Sequence, residues 1–476
     1  MTASSERLVV AALAWGAFAF GGVYPWAYWP LAVVCAAVGV RALLLTRAWN
    51  DHRIRKLGIA LGVVAAAIAC QVIALPYSVL ERLSPAFDRF FREYALAYHP
   101  ASLHSLSLAP SSTAVALILF VAYALLLLGL VATMRFMSQE WLLNQVTGIG
   151  IALTIVGIIQ KAFPSDPAHP IVYGFWEPQQ GGNPFGPFIN RNHFAGWMVM
   201  ALPLVVGYAC AVLAQIWPGG RRGVAAKLRW LVTVEASRFV LISFCALLMG
   251  MGLVLTGSRS GIASFAIAIL VFAFLAARQF KGRRPRILVA ASLAVFLVGA
   301  IAWAGSDATI GRFRLARADS PGRIEAWQDT VRIIEDFPWF GTGIGTYGRA
   351  MLVYQTASRP VMYAQAHNDY LQLIAEGGVL VAIPILVALV FVVATIRRRL
   401  VTGSDQPMTS WVRAGAIAGL VGIAAQSLVE FSLQMPGNTV LFVLLLSIAL
   451  HRGAEDARPS SRSGRGNDAR MHAHRV

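Results

Sequence analysis

The chain has 476 residues, 57% of them hydrophobic and 13% charged, with a mean hydropathy of +0.64. That composition is too apolar for a soluble enzyme and the chain too long for one packed core, so the indicated fold class is an all-α polytopic membrane protein. The net charge of +18 would suit nucleic acid, but no nucleic-acid partner is expected, because the basic residues are sorted by loop as membrane topology sorts them.

A spanning helix needs roughly 20 mostly apolar residues, and such runs predict about twelve transmembrane helices. They lie near 8–23, 27–45, 57–75, 112–133, 142–162, 194–216, 239–256, 261–277, 287–304, 378–396, 411–429 and 438–450. The first follows Arg7 with no small-x-small cleavage site, which marks an anchor rather than a removed signal. With a cytoplasmic N-terminus, alternate loops collect 27 of the 40 Lys and Arg residues. The positive-inside rule then places both termini in the cytoplasm of a bacterial inner-membrane protein. Residues 1–452 read as the transmembrane domain and 453–476, rich in Arg, Ser and Gly, as a disordered cytoplasmic tail. Cys35, Cys70, Cys210 and Cys245 all fall in apolar spans, where cysteine behaves as a small hydrophobe, and no disulfide is expected.

Three periplasmic loops exceed what a hairpin needs: 76–111, 163–193 and 305–377. The first carries Phe87, Phe90, Phe91 and Tyr94, which suit a helix resting at the headgroup level. The second ends in the polar run Gly181 to His193 and enters a span directly. Arg191 there is the single basic residue between Lys161 and Arg221, at a helix mouth whose free N–H groups favour an anion. The competing structural reading has Asn190 or Asn192 capping the helix and Arg191 snorkelling to the headgroups. The short turn Thr256 to Gly261 leaves Arg259 at the hydrocarbon boundary, where a charge is costly.

The third loop reads as a large helical cap. Ser320-Pro321 looks like an N-cap and first helical position, Ile324, Trp327, Val331 and Ile334 recur at helical spacing, and Phe337-Pro338 ends the helix. Gly343, Gly345 and Gly348 formally fit G-x-G-x-x-G without any βαβ unit, which excludes a dinucleotide fold and leaves a turn able to approach a phosphate. His367 opens a short polar helix and is either a general base or the cap of that helix. Neither a Walker loop, a nucleophile elbow nor carboxylates at metal-ligand spacing occur. Two outer arginines and a histidine suit metal-free handling of a pyrophosphate, since Arg presents a rigid fork to phosphate oxygens.

The runs Asn183 to Gly196, Leu255 to Gly261, Gly322 to Gly348 and His367 to Gly378, in this order among the spans, resemble the O-antigen ligase and polymerase superfamily across most of residues 110–450. The resemblance implies a GT-C-type membrane fold and transfer of a glycan from undecaprenyl pyrophosphate to an acceptor hydroxyl at the periplasmic face, with inversion and no metal or other cofactor. It implies catalytic roles for His367 as base and for Arg191 and Arg259 as pyrophosphate holders. It also implies substrate contacts for Asn190, Asn192, His193, Asn368 and Ser258. The expected partners are the lipid-linked glycan donor, a glycan or lipid acceptor, and membrane lipid.

The ligase pattern of His, Asn, nine residues, Gly and a second Gly three further on is met by His367, Asn368 and Gly378, but Val381 stands where the last Gly belongs. A ligase acting on lipid A-core sugar and a polymerase of lipid-linked repeats therefore both stay open. From another class, a polysaccharide transporter or flippase would carry acids at the bilayer midplane. Here the acids lie in loops, with Glu430 at the outer end of its span the exception.

Overall fold

The computed structural model describes residues 3–94, 99, 103–166, 169–179, 182–216, 233–279, 307–356, 362–402 and 406–451. In chain order its helices are α1 Ala3–Phe18, α2 Pro25–Thr46, α3 His52–Cys70, α4 Tyr77–Leu83, α5 Pro85–Tyr94, α6 Pro110–Thr133, α7 Gln139–Ala162 and α8 Arg191–Ile216. They continue with α9 Val234–Leu255, α10 Arg259–Gln279, α11 Asp307–Asp336, α12 Tyr347–Tyr354, α13 Asp369–Thr402, α14 Pro407–Gln426 and α15 Pro436–Leu450. Two short strands, β1 Ala74–Leu75 and β2 His104–Ser105, pair antiparallel with Ala74 opposite Ser105.

The protein is thus an all-α polytopic membrane protein. Among the described residues eight helices are long and apolar enough to cross a bilayer: α2, α6, α7, α8, α9, α10, α13 and α14. Helices α1, α3 and α15 cover three more of the expected spans but are shorter or, in α3, begin with His52, Arg53, Arg55 and Lys56. The span expected at 287–304 and the tail at 453–476 lie outside the described residues.

Helix ends follow their sequence signals. Pro occupies the first turn of α2, α6, α14 and α15, where its missing N–H costs nothing. Asp51 caps α3 and Ser138 caps α7 through their side-chain oxygens. Close helix contacts fall at glycine, as expected where no hydrophobic force drives helices together in lipid. A Cβ on Gly415 of α14 would stand 2.4 Å from the Pro203 carbonyl oxygen of α8, so these backbones approach as only glycine permits.

Two expectations for the outer segments are corrected. Phe87 of α5 does not rest at a lipid surface: it is fully buried and meets Phe337 edge-on at 5.0 Å. Together with Leu80, Ile333, Tyr347 and Met351 it forms a small core separate from the membrane bundle. Helix α11 begins at Asp307, well before Ser320-Pro321, because the Arg, Leu and Ala residues upstream are good helix formers. Its buried face runs through Ala326, Thr330, Ile333 and Phe337, while Ile324 and Val331 of the expected stripe are about half exposed (51% and 43%). Thr330 explains the offset, since its hydroxyl bonds the Ala326 carbonyl and the Tyr347 hydroxyl and so can be buried.

Candidate functional site

Helix α8 opens with the polar run. The Asn190 side-chain oxygen accepts from the Asn192 N–H at 2.9 Å, and the Arg191 N–H donates to the Asn183 carbonyl at 2.7 Å. Asn190 therefore serves as the cap. The Asn192 side chain reaches instead across the bundle, where its Nδ2 donates to Glu430 Oε1 at 2.7 Å. Its carbonyl is held by Gln426 and Ser432. His193 lies buried with its ring edge-on to Phe431 at 4.7 Å, and among the described residues its Nε2 has no hydrogen-bond partner.

His367 comes to the same place from α13. Asn368, not His367, caps that helix: its side-chain oxygen accepts from the N–H groups of Tyr370 and Leu371, both at 3.1 Å. His367 has φ +51, a left-handed conformation that costs a non-glycine residue roughly 1–2 kcal/mol. Its neighbours hold it there, since the Ala366 N–H donates to Gln372 Oε1 and the Asp369 N–H to the Ser427 carbonyl. Its Nδ1 lies 3.5 Å from Glu430 Oε2, and its ring meets that of Phe431 edge-on at 4.9 Å.

Glu430 joins these elements. Its side chain is 1% exposed, and Arg323 of α11 donates to Oε1 at 2.6 Å. Burial pushes its carboxyl upward, but the approach of His367 and the charges of Arg323, His367 and His193 outweigh it and hold the group below its usual range. One anionic carboxylate is thus shared by two imidazole-bearing segments, an arginine and an asparagine.

The second mouth lies beside the first. Ser258 is buried and caps α10, its Oγ accepting from the Gly261 N–H at 3.2 Å. Arg259 is the first residue of α10, and a Cβ on Gly261 would meet Ala195 of α8 at 2.5 Å. The starts of α8 and α10 therefore touch. Arg191 lines a cavity of about 400 Å³ with Lys161, Asn183 and Thr256, and Lys161 Nζ donates to the Leu255 carbonyl at 2.7 Å. Asn192, His193 and His367 are brought together around Glu430 and Phe431. Arg191 and Arg259 start the two adjoining helices, and the polar oxygens of Asn190, Asn368 and Ser258 serve as caps.

The glycine turn holds an anion of the protein's own. The N–H groups of Gly345 and Tyr347 donate to the two oxygens of Glu376 at 3.0 and 2.8 Å. Gln71 ties the turn down by accepting from Ile344 and donating to the carbonyls of Phe340 and Glu376. Gly343 and Gly345 take positive φ to build this concave nest. The expected phosphate turn is thus filled by a carboxylate. Beside it a cavity of about 390 Å³ is lined by Gln365, Asp369, Gln372, Glu376 and Gln434. It shares the Gln365 to Asp369 segment with His367.

Sequence reading missed Arg323, Phe431 and this amide-rich cavity. The available signal was Glu430, an acid next to an apolar span, whose burial demands partners. Among the described residues no three His, Cys, Asp or Glu side chains gather as a metal site would require.

The bundle and its polar loop end define a multi-pass membrane protein with a charged site at the mouths of its helices. Residues 244–386 match the family model described as O-antigen ligase, which supports the resemblance of the chain to the O-antigen ligase and polymerase superfamily. The matched stretch contains Arg259, the glycine turn and His367, whereas Arg191 and Glu430 lie on either side of it. Among curated proteins nothing matches the chain.

Proposed function

We propose that the protein is a GT-C-type membrane glycosyltransferase of the inner membrane, active at the periplasmic face with both termini cytoplasmic. It moves a glycan from undecaprenyl pyrophosphate to a hydroxyl of lipid A-core or a related acceptor. The observation that carries this reading is the approach of His367 Nδ1 to the buried Glu430 carboxylate, beside two arginine-bearing helix mouths. With Nδ1 turned to Glu430, Nε2 is the nitrogen that takes the acceptor proton. The acceptor oxygen then attacks the anomeric carbon from the face opposite the leaving group, inverting it. The bond to the pyrophosphate oxygen breaks, and the electron pair leaves on the diphosphate. Arg191 and Arg259 stabilise that charge with bidentate hydrogen bonds. Glu430 offsets the imidazolium as it forms and keeps the ring in place, as the carboxylate of a hydrolase triad does. The cavity beside the glycine turn receives the acceptor sugar, whose hydroxyls suit the amides of Gln365 and Gln434 and the Asp369 carboxylate, while Glu376 is engaged in holding the turn. No metal is assigned a role; turnover in the presence of a chelator of divalent ions tests this.

A polymerase is the second reading, favoured by one residue. Val381, in the place of the ligase glycine, is fully buried in a cluster with Val64, Ala67 and Ile68 of α3. Deleting the gene and separating the glycolipids decides between them. Free lipid-linked polymer with loss of capped lipid A-core is the expected result. Accumulation of single lipid-linked repeats would instead assign polymerisation, and an unchanged glycolipid profile with lipid-linked glycan trapped on the cytoplasmic side would assign transport.

A further inference from the structure

At the end of the bundle away from His367, the start of α3 packs against the end of α13, and together they enclose a cavity of about 730 Å³. Arg53 and Lys56 of α3 line it, as do Arg397, Arg398 and Arg399 of α13, with His52 beside them. No Asp or Glu lines it among the described residues. Asp51, the residue before α3, is engaged in capping that helix, accepting from the Arg53 N–H at 2.8 Å. A positive-inside bias explains basic residues at this end, but not their convergence on one concave space that no described acid lines.

The apolar part of the cavity is equally informative. Phe391 and Ala394 line it beside the cations. At helical spacing from the lining cations, Ile59 and Val63 follow Lys56 along α3 and Val393 and Val390 precede Arg397 along α13, and all four are more than half exposed (61%, 51%, 54% and 59%). A free phosphate would use only the cations. A molecule with a phosphate head and hydrocarbon chains uses the cations and the wall beneath them.

We propose that this cavity binds the headgroup of an acidic phospholipid, with the phosphate between α3 and α13 and the acyl chains along Ile59, Val63, Val390 and Val393. Arginine forks match phosphate oxygens bidentately, and basic pockets between membrane helices suit anionic lipid heads. The proposal is independent of the glycosyltransferase reading, because none of these residues belongs to the site around Glu430.

Native mass spectrometry of the full-length protein in detergent tests it, with diphosphatidylglycerol, phosphatidylethanolamine and inorganic phosphate as probes. The double variant Lys56→Gln/Arg398→Gln removes two cations; Arg399 stays, since it also lines a neighbouring cavity with Arg278 and Arg413. The control, Arg41→Gln/Arg135→Gln, removes the same charge at the same end of the bundle but outside the cavity. Each cation near an anionic surface is worth roughly fivefold in affinity, so the double variant should lose about 25-fold for diphosphatidylglycerol while the control holds it. If the double variant does not fold, each single Gln variant is measured and should lose about fivefold. Equal losses in cavity variants and control would overturn the proposal, as would equal retention of phosphatidylethanolamine. Stabilisation by inorganic phosphate to the same degree as by lipid would overturn it too and assign the cavity to a soluble anion.

Discussion

Glu376 and Glu430 are both buried, both near the loop-bearing end of the bundle and both hydrogen-bonded, yet their company differs. Around Glu376 stand backbone N–H groups of the glycine turn and the amide of Gln372, none of which can change charge. Around Glu430 stand His367, Arg323 and Asn192, with His193 close enough to act on its charge. A carboxylate held by fixed backbone dipoles staples one segment to another. A carboxylate held beside a titratable base can respond to a proton arriving on that base. Burial alone therefore distinguishes neither glutamate; the chemistry of their partners does.

The difference between the two glutamates vanishes if His367 is dispensable. His367→Ala is expected to lower turnover by roughly 10² to 10⁴, the usual yield of a general base, with donor binding intact. Near-normal turnover in a purified assay would leave Glu430 as structural as Glu376. Next in size, Arg191→Lys and Arg259→Lys should each cost about tenfold to a hundredfold, since a point charge cannot reproduce a bidentate fork. Full activity of either Lys variant would remove that arginine from the pyrophosphate.

Glu430→Gln retains shape and hydrogen-bonding capacity but not charge, and should lower kcat by about tenfold while the donor KM holds. A matching rise in KM would point to a binding role. Acid gives a related check on the unaltered protein. A carboxyl depressed in the folded state contributes stability that is present above its unfolded value and lost as pH falls through the folded one. Loss of fold through Glu430 should therefore begin only below the usual 4.5 for glutamate. A transition above that value, absent in Glu430→Gln, would contradict the depressed carboxyl. The smallest effect on chemistry is expected for Glu376→Gln. It should cost about 1–3 kcal/mol of stability by weakening the nest and leave turnover per folded molecule close to normal, as a thermal melt beside an activity assay would reveal.

Legibility in the sequence tracked the range of the interactions involved. Hydropathy is a property of consecutive residues, so the apolar runs at 112–133 and 194–216 could be matched to α6 and α8 within a few residues. Caps are equally local: Asn190 stands one step before α8 and caps it, whereas at α13 the sequence offers His367 as a cap and Asn368, one step nearer, fills that role. The stripe on α11 failed because apolar spacing leaves open which neighbouring face is buried, and a hydroxyl pair at Thr330 and Tyr347 decided it. The glycine turn was recognised as a place for an anion, but nothing local revealed that the anion is Glu376, 29 positions beyond Tyr347.

From composition and pattern alone follow the membrane class, the order of most helices, the sorting of basic residues and the family resemblance, because each rests on short-range chemistry repeated along the chain. The union of Asn192, Arg323, His367 and Glu430 rests on contacts spanning up to 238 positions. Only the packing of α8, α11, α13 and the loop after α14 gathers those groups around one carboxylate. Only there does a lone acid at the edge of an apolar span become the partner of a base.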